Sequence, residues 1–221
     1  MFTGLVQGVA RIERVEPLAG GAEAGGLRLT IDAGGVPGFV AEVGDSIALN
    51  GACMTATSVQ GARFTVDISR ESLSKTAGLD APGEVNVETS MRLGDKLGGH
   101  LVSGHVDGIG IVRSMAPVGE SWELVIRAPR LLAKYLAYKG SITVAGVSLT
   151  VNRVVDVVGT AAGGTQIGGE GDAAGCDFSL NIIPHTHAVT TLRNLRAGDR
   201  VNLEIDLIAR YVERMMSAPP A

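Results

Sequence analysis

The chain has 221 residues, is 45% apolar but only 4% aromatic, and carries a formal net charge of −4. No apolar run approaches the roughly 18 residues of a membrane span, and no charged segment leads into a long apolar stretch as in a secretory signal, so a cytoplasmic protein is expected. Nucleic-acid binding would need a basic stripe with stacking rings and membrane-surface binding a Lys/Arg-rich amphipathic helix; neither is present, and Cys53 and Cys176 are expected to be reduced thiols.

In chain order, short apolar or alternating segments bounded by Gly, Asp and Pro predict strands at LRLTID (27–32), DSIAL (45–49), RFTVDI (63–68) and EVNVE (84–88). The same pattern returns at ELVIRA (123–128), SITVAGVSLTV (141–151), DFSLNII (177–183) and RVNLEI (200–205). Each half carries about six such strands, and closing six into a barrel removes exposed edges. Leu131, Leu132, Tyr135 and Leu136 recur at helical spacing and predict a helix over 129–138, with a weaker counterpart at 37–43. Leu207, Ile208, Tyr211, Val212 and Met215 predict an amphipathic helix over 207–215. Its apolar stripe must be covered by its own barrel or by a partner subunit, and the residues leave both open. The Gly/Ala-rich run 159–175 predicts a flexible surface loop; without a following GK[ST] it is no P-loop.

The chain repeats itself. DSIALNGACMTAT (45–57) aligns with GSITVAGVSLTVN (140–152) at an offset of 95, GLVQG (4–8) with GHVDG (104–108) at 100, and VNVE (85–88) with VNLE (201–204) at 116. Matches in the same order in both halves predict a duplicated domain. The offset is 114 between FTVDISRES and FSLNIIPHT, the extra residues falling in the 159–175 insertion.

Few residues stand out as chemistry. His100 and His105 are five apart, which on an unbroken strand puts them on opposite faces. His185 and His187 have no thiolate or carboxylate at ligand spacing, so no metal is expected. Ser46, Cys53, Ser148 and Thr150 lie in the repeated core segment, where hydroxyls commonly bond backbone and cysteine is commonly a small apolar residue. No G-x-S-x-G elbow surrounds Ser46 or Ser148. Glu71 and His185 hold equivalent places, a pattern that fits two related but unequal sites as well as drift after duplication.

Six ordered motifs carry a resemblance over nearly the whole chain: MFTGLVQG, GDSIALNGACMTAT, GGHLVSGHVDG, KGSITVAGVSLTVN, IPHTHAVTTL and VNLEIDLIARYVER. Together they resemble the riboflavin synthase family of alpha-chain type. The resemblance implies an all-β fold of two homologous six-stranded Greek-key barrels with a C-terminal α-helix. Its implied bounds are 1–97 and 98–205 for the lumazine-binding barrels and 206–221 for an oligomerisation helix and tail. It implies a homotrimer, with lumazine synthase as a candidate larger partner. It implies dismutation of two 6,7-dimethyl-8-ribityllumazine molecules to riboflavin and 5-amino-6-ribitylamino-uracil, without metal or redox cofactor. A non-catalytic lumazine- or flavin-binding protein of the same fold is the alternative. A flavin reductase barrel is a further comparison, but a nicotinamide fingerprint is lacking.

By the same resemblance, the first barrel's ligand is lined by Gly4, Leu5 and Val6, by Cys53, Met54 and Thr55, and by Asp67, Ile68, Ser69, Arg70, Glu71 and Ser72. The second barrel's is lined by Gly104, His105 and Val106, by Ser148, Leu149 and Thr150, by Asn181, Ile182, Ile183, Pro184, His185 and Thr186, and by Lys139. The implied catalytic residues are Ser46, Cys53 and His105: the first two, or a water they position, supply a nucleophile, and the imidazole assists proton transfer. Phe2 is expected to shape the pocket. Where the family often has D-G-[IV]-S-L-T, this chain has Ala145-Gly146-Val147-Ser148-Leu149-Thr150, so no Asp–Ser pair carries over.

Overall fold

The computed structural model describes residues 1–18, 25–157 and 174–217. All but the last two residues of the expected 159–175 loop lie outside them. Six strands, β1 (Gly8–Pro17), β2 (Leu27–Asp32), β3 (Ser46–Leu49), β4 (Ala52–Gln60), β5 (Arg63–Ile68) and β6 (Gly83–Thr89), form a closed antiparallel barrel in the order β1-β2-β5-β4-β3-β6. Six more, β7 (Gly108–Val118), β8 (Ser121–Pro129), β9 (Ser141–Val144), β10 (Val147–Val157), β11 (Gly175–Ile182) and β12 (Arg200–Ile205), close a second barrel with the same cyclic order. The non-consecutive neighbours make each a Greek key. The strands bend where one residue is inserted, at Ile12/Arg14 and Ala56/Ser58 in one barrel and Val112/Ser114 and Val151/Arg153 in the other. These bulges occupy equivalent places in the repeat.

Period-two patterning decides what fills each barrel. On β5, Phe64, Val66 and Ile68 point inward, and on β11 so do Phe178, Leu180 and Ile182. Each such burial contributes about 1.5–3 kcal/mol. The outward positions are left for polar residues, which is why the candidate site lies on the barrels' outer surfaces.

The helices differ from expectation. Only Arg130–Ala133 is helical (α2) within 129–138. The backbone then tightens, with Tyr135 N donating to Leu132 O and Leu136 N to Ala133 O at 3.1 Å, before Lys139 turns the chain at φ 63° into β9. Leu132 and Leu136 are buried and Leu131 is exposed, so the apolar spacing came from one turn of helix plus a tight loop. No helix forms over 37–43; Gly38 at φ 68° breaks it, and Phe39 stacks on Phe64 with ring centroids 5.3 Å apart. Two short helices were not anticipated, α1 (Arg70–Lys75) after β5 and α3 (Pro184–Val189) after β11. Neither buries a residue, so no apolar period announced them. The terminal helix α4 (Leu207–Ser217) forms as expected and runs slightly longer.

The barrels meet through reciprocal contacts, as an approximate twofold axis requires. Phe2 and Val102 exchange backbone hydrogen bonds of 2.8 and 3.1 Å. Asn86 Nδ2 donates to Ala145 O at 2.8 Å, and Asn202 Nδ2 to Asn50 O at 2.9 Å. Their Oδ1 atoms accept from Thr191 N and Ala77 N. The Asn of VNVE and of VNLE is thus repeated because each ties its barrel to the other.

Asn50-Gly51 and Ala145-Gly146 are the tight turns of equivalent hairpins, with φ near +46° and +83° in both. A Cβ on either glycine would lie within 2.8 Å of the other turn's backbone, so the turns pack as only glycine allows. The missing family Asp is therefore a left-handed turn position at the barrel interface. Ala145 is strained there, whereas Asn50 tolerates φ > 0 and accepts from Asn86 N at 2.9 Å. Ala145→Asn should place a carboxamide to accept from Asn202 N by the same geometry. It is expected to raise the free energy of unfolding by about 1 kcal/mol in a urea titration; an unchanged or lower midpoint would show that the repeat geometry does not transfer.

Candidate active site

The repeated core hairpins present one stripe of small polar residues each. In the first barrel Ser46 pairs with Thr55 and Ala48 with Cys53. In the second Ser141 pairs with Thr150 and Thr143 with Ser148. Since Ile47, Leu49, Ala52 and Met54 fill the core, these pairs face outward.

The segments leading into the barrels are exchanged relative to chain order. Past Phe2, the chain reaches the second barrel, where Ser148 N donates to Gly4 O at 2.8 Å and Val6 packs on the second core. Residues 102–104 reach the first barrel, where Cys53 N donates to Gly104 O at 2.8 Å, and Val106 packs on the first core. Gly4 and Gly104 sit at φ +75° and +79°, and a Cβ on either would come within 2.6 Å of the Ser148 or Cys53 side chain. The expected grouping is corrected accordingly: Gly4, Leu5 and Val6 belong with Ser148, and Gly104, His105 and Val106 with Cys53. Matching each segment to its own half could not reveal a crossing between halves.

The first-barrel site is a cavity of ≈ 230 Å³ lined by Cys53, Met54, Glu71, Ser72, Gly104 and His105, among others. Larger hollows lie elsewhere on the molecule, but this one holds the expected residues. Cys53 is half-buried and His105 exposed, and Phe2 clusters with Ala48, Val102 and Cys53. Ser69 caps α1, accepting from Ser72 N at 3.1 Å, which fixes Arg70, Glu71 and Ser72 at the end of β5. Asp67 makes a bidentate pair with Arg28 at 2.7 and 2.8 Å, which holds its carboxyl below the usual range. Ser46 lies along the same stripe, two residues beyond Ala48, and is not among the residues lining this cavity.

The second-barrel site is built differently. His100 Nδ1 is 2.7 Å from Ser148 Oγ, and its Nε2 is 3.2 Å from Thr143 Oγ1. The ring spans the stripe where the first barrel has only Ala48 and Cys53. The spacing of His100 from His105 does not describe one strand: residues 98–106 run as an arm outside both barrels, with a single β-bridge at Val102 and further backbone bonds at His100 and Gly104. Lys139 Nζ donates to Asn152 Oδ1 at 3.0 Å, and Asn181 Oδ1 accepts from Ser121 Oγ at 2.8 Å. Ile183, Pro184 and His185 are exposed and Thr186 is half-buried on α3, whose His187 stacks on Trp122 at 3.8 Å. Met54, Ile68, Leu149 and Ile182 turn into the cores, so they can offer a ligand only their backbone or their tight packing.

Burial holds the His100 imidazole below its ordinary pKa of 6.5, against the pull of Asp206 and Glu204. It is therefore neutral at pH 7. With Nε2–H turned to Thr143, Nδ1 can accept the Ser148 hydroxyl proton. The unfolded chain takes up its proton near pH 6.5, before the folded chain does. The stability contributed by neutral His100 is thus full above that pH and falls as pH drops through it. Urea titrations from about pH 7.5 to 5 should show this slope, flattened in His100→Gln; an identical slope in the variant would assign it elsewhere.

The lumazine binding domain family matches the chain twice, over residues 3–90 and 103–206. A riboflavin synthase of Mycobacterium tuberculosis is 40% identical over 222 residues, covering 98% of each chain. The chain belongs to the riboflavin synthase family. Another member, the riboflavin synthase of Photobacterium phosphoreum, is 37% identical over 98% of this chain and 89% of its own. Among solved structures, this family member resembles LumP complexed with riboflavin, with TM-score 0.71, 21% identity and coverage of 93% of this chain and 99% of that one. LumP complexed with 6,7-dimethyl-8-(1'-D-ribityl) lumazine gives 0.67 at 22% identity, covering 92% and 98%. At that identity the likeness speaks for the fold.

Proposed function

We propose that the chain is a riboflavin synthase, a transferase that moves a four-carbon unit between two molecules of 6,7-dimethyl-8-ribityllumazine. One becomes riboflavin and the other 5-amino-6-ribitylamino-uracil. The exchange is redox-neutral overall, so the protein's task is to bind, orient and move protons. The observation that carries this reading is the pair of equivalent outward sites with unequal chemistry: a thiol beside an exposed imidazole at Cys53 and His105, and a hydroxyl bonded to a half-buried imidazole at Ser148 and His100. Two copies of one substrate in two roles call for that arrangement.

The first barrel's site opposes the second barrel's site of a neighbouring subunit, so the two rings meet face to face. Holding two reactants in register can supply about 7–11 kcal/mol of the barrier. One site holds a nucleophile or water for C7 of the acceptor; a base at the other takes a proton from the acidic C7 methyl of the donor. Ser46, Cys53 and His105 serve the first site, and Ser148 with His100 the second. Backbone and hydroxyl groups of residues 67–72 and 181–186 hold the ribityl chain and the pyrimidinedione edge. The assembly is a homotrimer joined through α4, whose Ile208, Tyr211, Val212, Met215 and Met216 are 49–82% exposed in the single chain.

Incubating the purified protein with the lumazine tests this. Riboflavin should appear at half the molar amount of lumazine consumed, with the pyrimidine as co-product. Tight binding without conversion would make the chain a lumazine-binding protein without turnover.

A further inference from the structure

Two buried carboxylates are not part of either pocket, yet each holds the arm that completes one. Glu88, at the end of β6, accepts from Thr3 N at 2.7 Å and Thr3 Oγ1 at 2.8 Å through Oε1, and from Gly4 N at 3.0 Å through Oε2. Glu204, on β12, accepts from Ser103 N at 2.7 Å and Ser103 Oγ at 2.6 Å through Oε1, and from Gly104 N at 3.0 Å through Oε2. Both glutamates are almost fully buried, at 6% and 3% exposure. Burial pushes the Glu88 carboxyl up from its ordinary value, against the three hydrogen bonds that favour its charge. Such groups are costly to bury, and a plain apolar contact would hold two barrels together at less cost.

What they hold runs directly to the sites. Beyond the Glu204 clamp, Gly104 O accepts from Cys53 N at 2.8 Å, and the next residue is His105. Beyond the Glu88 clamp, Gly4 O accepts from Ser148 N at 2.8 Å, and Thr3 O accepts from His100 N at 3.1 Å. We infer that Glu88 and Glu204 are positioning residues that act across the barrel boundary: Glu88 of the first barrel sets the Ser148–His100 pair of the second, and Glu204 of the second sets Cys53 and His105 of the first. What the residues are positioned for rests on the reaction proposed above; the crossed wiring does not.

The test therefore uses a probe that needs no substrate. Cys53 is half-buried beside a cavity, whereas Cys176 is buried and its thiol is pushed up to about 11 by burial. Iodoacetamide labelling of the full-length protein, followed by peptide mapping, thus reports on Cys53 with Cys176 as an internal control. Glu204→Gln should raise the Cys53 rate about tenfold, the equivalent of one lost hydrogen bond to a charged group. Glu88→Gln, the same change in the other clamp, touches Cys53 only through Phe2, so it should raise that rate by less than about twofold while lowering lumazine turnover about tenfold. Should Glu204→Gln fold poorly, Ser103→Ala removes only the hydroxyl bond to the clamp and should raise the rate in the same direction. An equal rise in both glutamine variants would reduce the clamps to general stability, and a wild-type rate in Glu204→Gln and Ser103→Ala would sever the link to Cys53. Absence of riboflavin formation in the wild type would count against the reaction alone, since the labelling result stands without it.

Discussion

His105→Gln and Cys53→Ala should each lower turnover on the order of 10²-fold while changing lumazine affinity less than about threefold. The geometry gives the asymmetry between the two losses. Cys53 is anchored by its backbone N–H to Gly104 O, a bond that Cys53→Ala keeps. The cavity around it is enclosed by Met54, Thr76 and Val106, which the substitutions leave in place. His105 is exposed, and glutamine retains hydrogen-bonding ability but lacks the imidazole nitrogen that would serve as base. Both changes thus remove reactivity more than contact. Stopped-flow turnover and fluorescence titration with the lumazine measure the two quantities separately. If affinity falls in proportion to turnover, Cys53 and His105 only bind.

Removing residues 207–221 should yield monomers with turnover at least about a hundredfold lower, since two half-sites no longer meet. The helix to be removed is held to its own barrel by polar contacts at the edges. Arg210 makes a bidentate pair with Asp107 at 2.8 and 2.9 Å, and Lys134 and Tyr135 both bond Glu213. Its apolar residues are what stay exposed: Met215 at 80%, Met216 at 82% and Ile208 at 64%. Neither barrel's core includes a residue of α4, so the truncated chain should remain folded. Analytical ultracentrifugation gives the mass, and near-UV circular dichroism confirms the fold. A folded monomer with full activity would show that the helix does not bring the reacting sites together.

The barrels were legible because burial leaves a period-two trace. Phe64-Val66-Ile68 and Phe178-Leu180-Ile182 alternate inward, and the same order of motifs in both halves doubles the signal. β1 is harder to read: in GVARIERVEP only Gly8, Ala10 and Ile12 are buried, and the rest is half-buried or exposed. The short helices were illegible because they bury nothing. The arms hid for a different reason. GLVQG and GHVDG announce a repeat, but pairing across the repeat depends on where the chain travels between them, which local pattern does not encode. Even Gln7 and Asp107, matched in the repeat, differ in use: Gln7 Oε1 accepts from Thr89 N, while Asp107 accepts from Ile205 N and also pairs with Arg210 of the terminal helix. His100 went unrecognised because a lone histidine has no sequence partner; Thr143 and Ser148 are its neighbours only once the arm is laid across the hairpin.

The exchanged arms also set the terms on which halves from different relatives could be recombined. A chimera joined at the midpoint of the chain would give each barrel a foreign finger, with Thr3 and Gly4 from one parent pressed against a hairpin from the other. Grafting only the short leading stretches, 1–6 with the distal barrel and 101–106 with the proximal one, would keep each inherited pocket intact. The natural unit of exchange in this protein is therefore discontinuous: a barrel together with a borrowed strip from across the molecule.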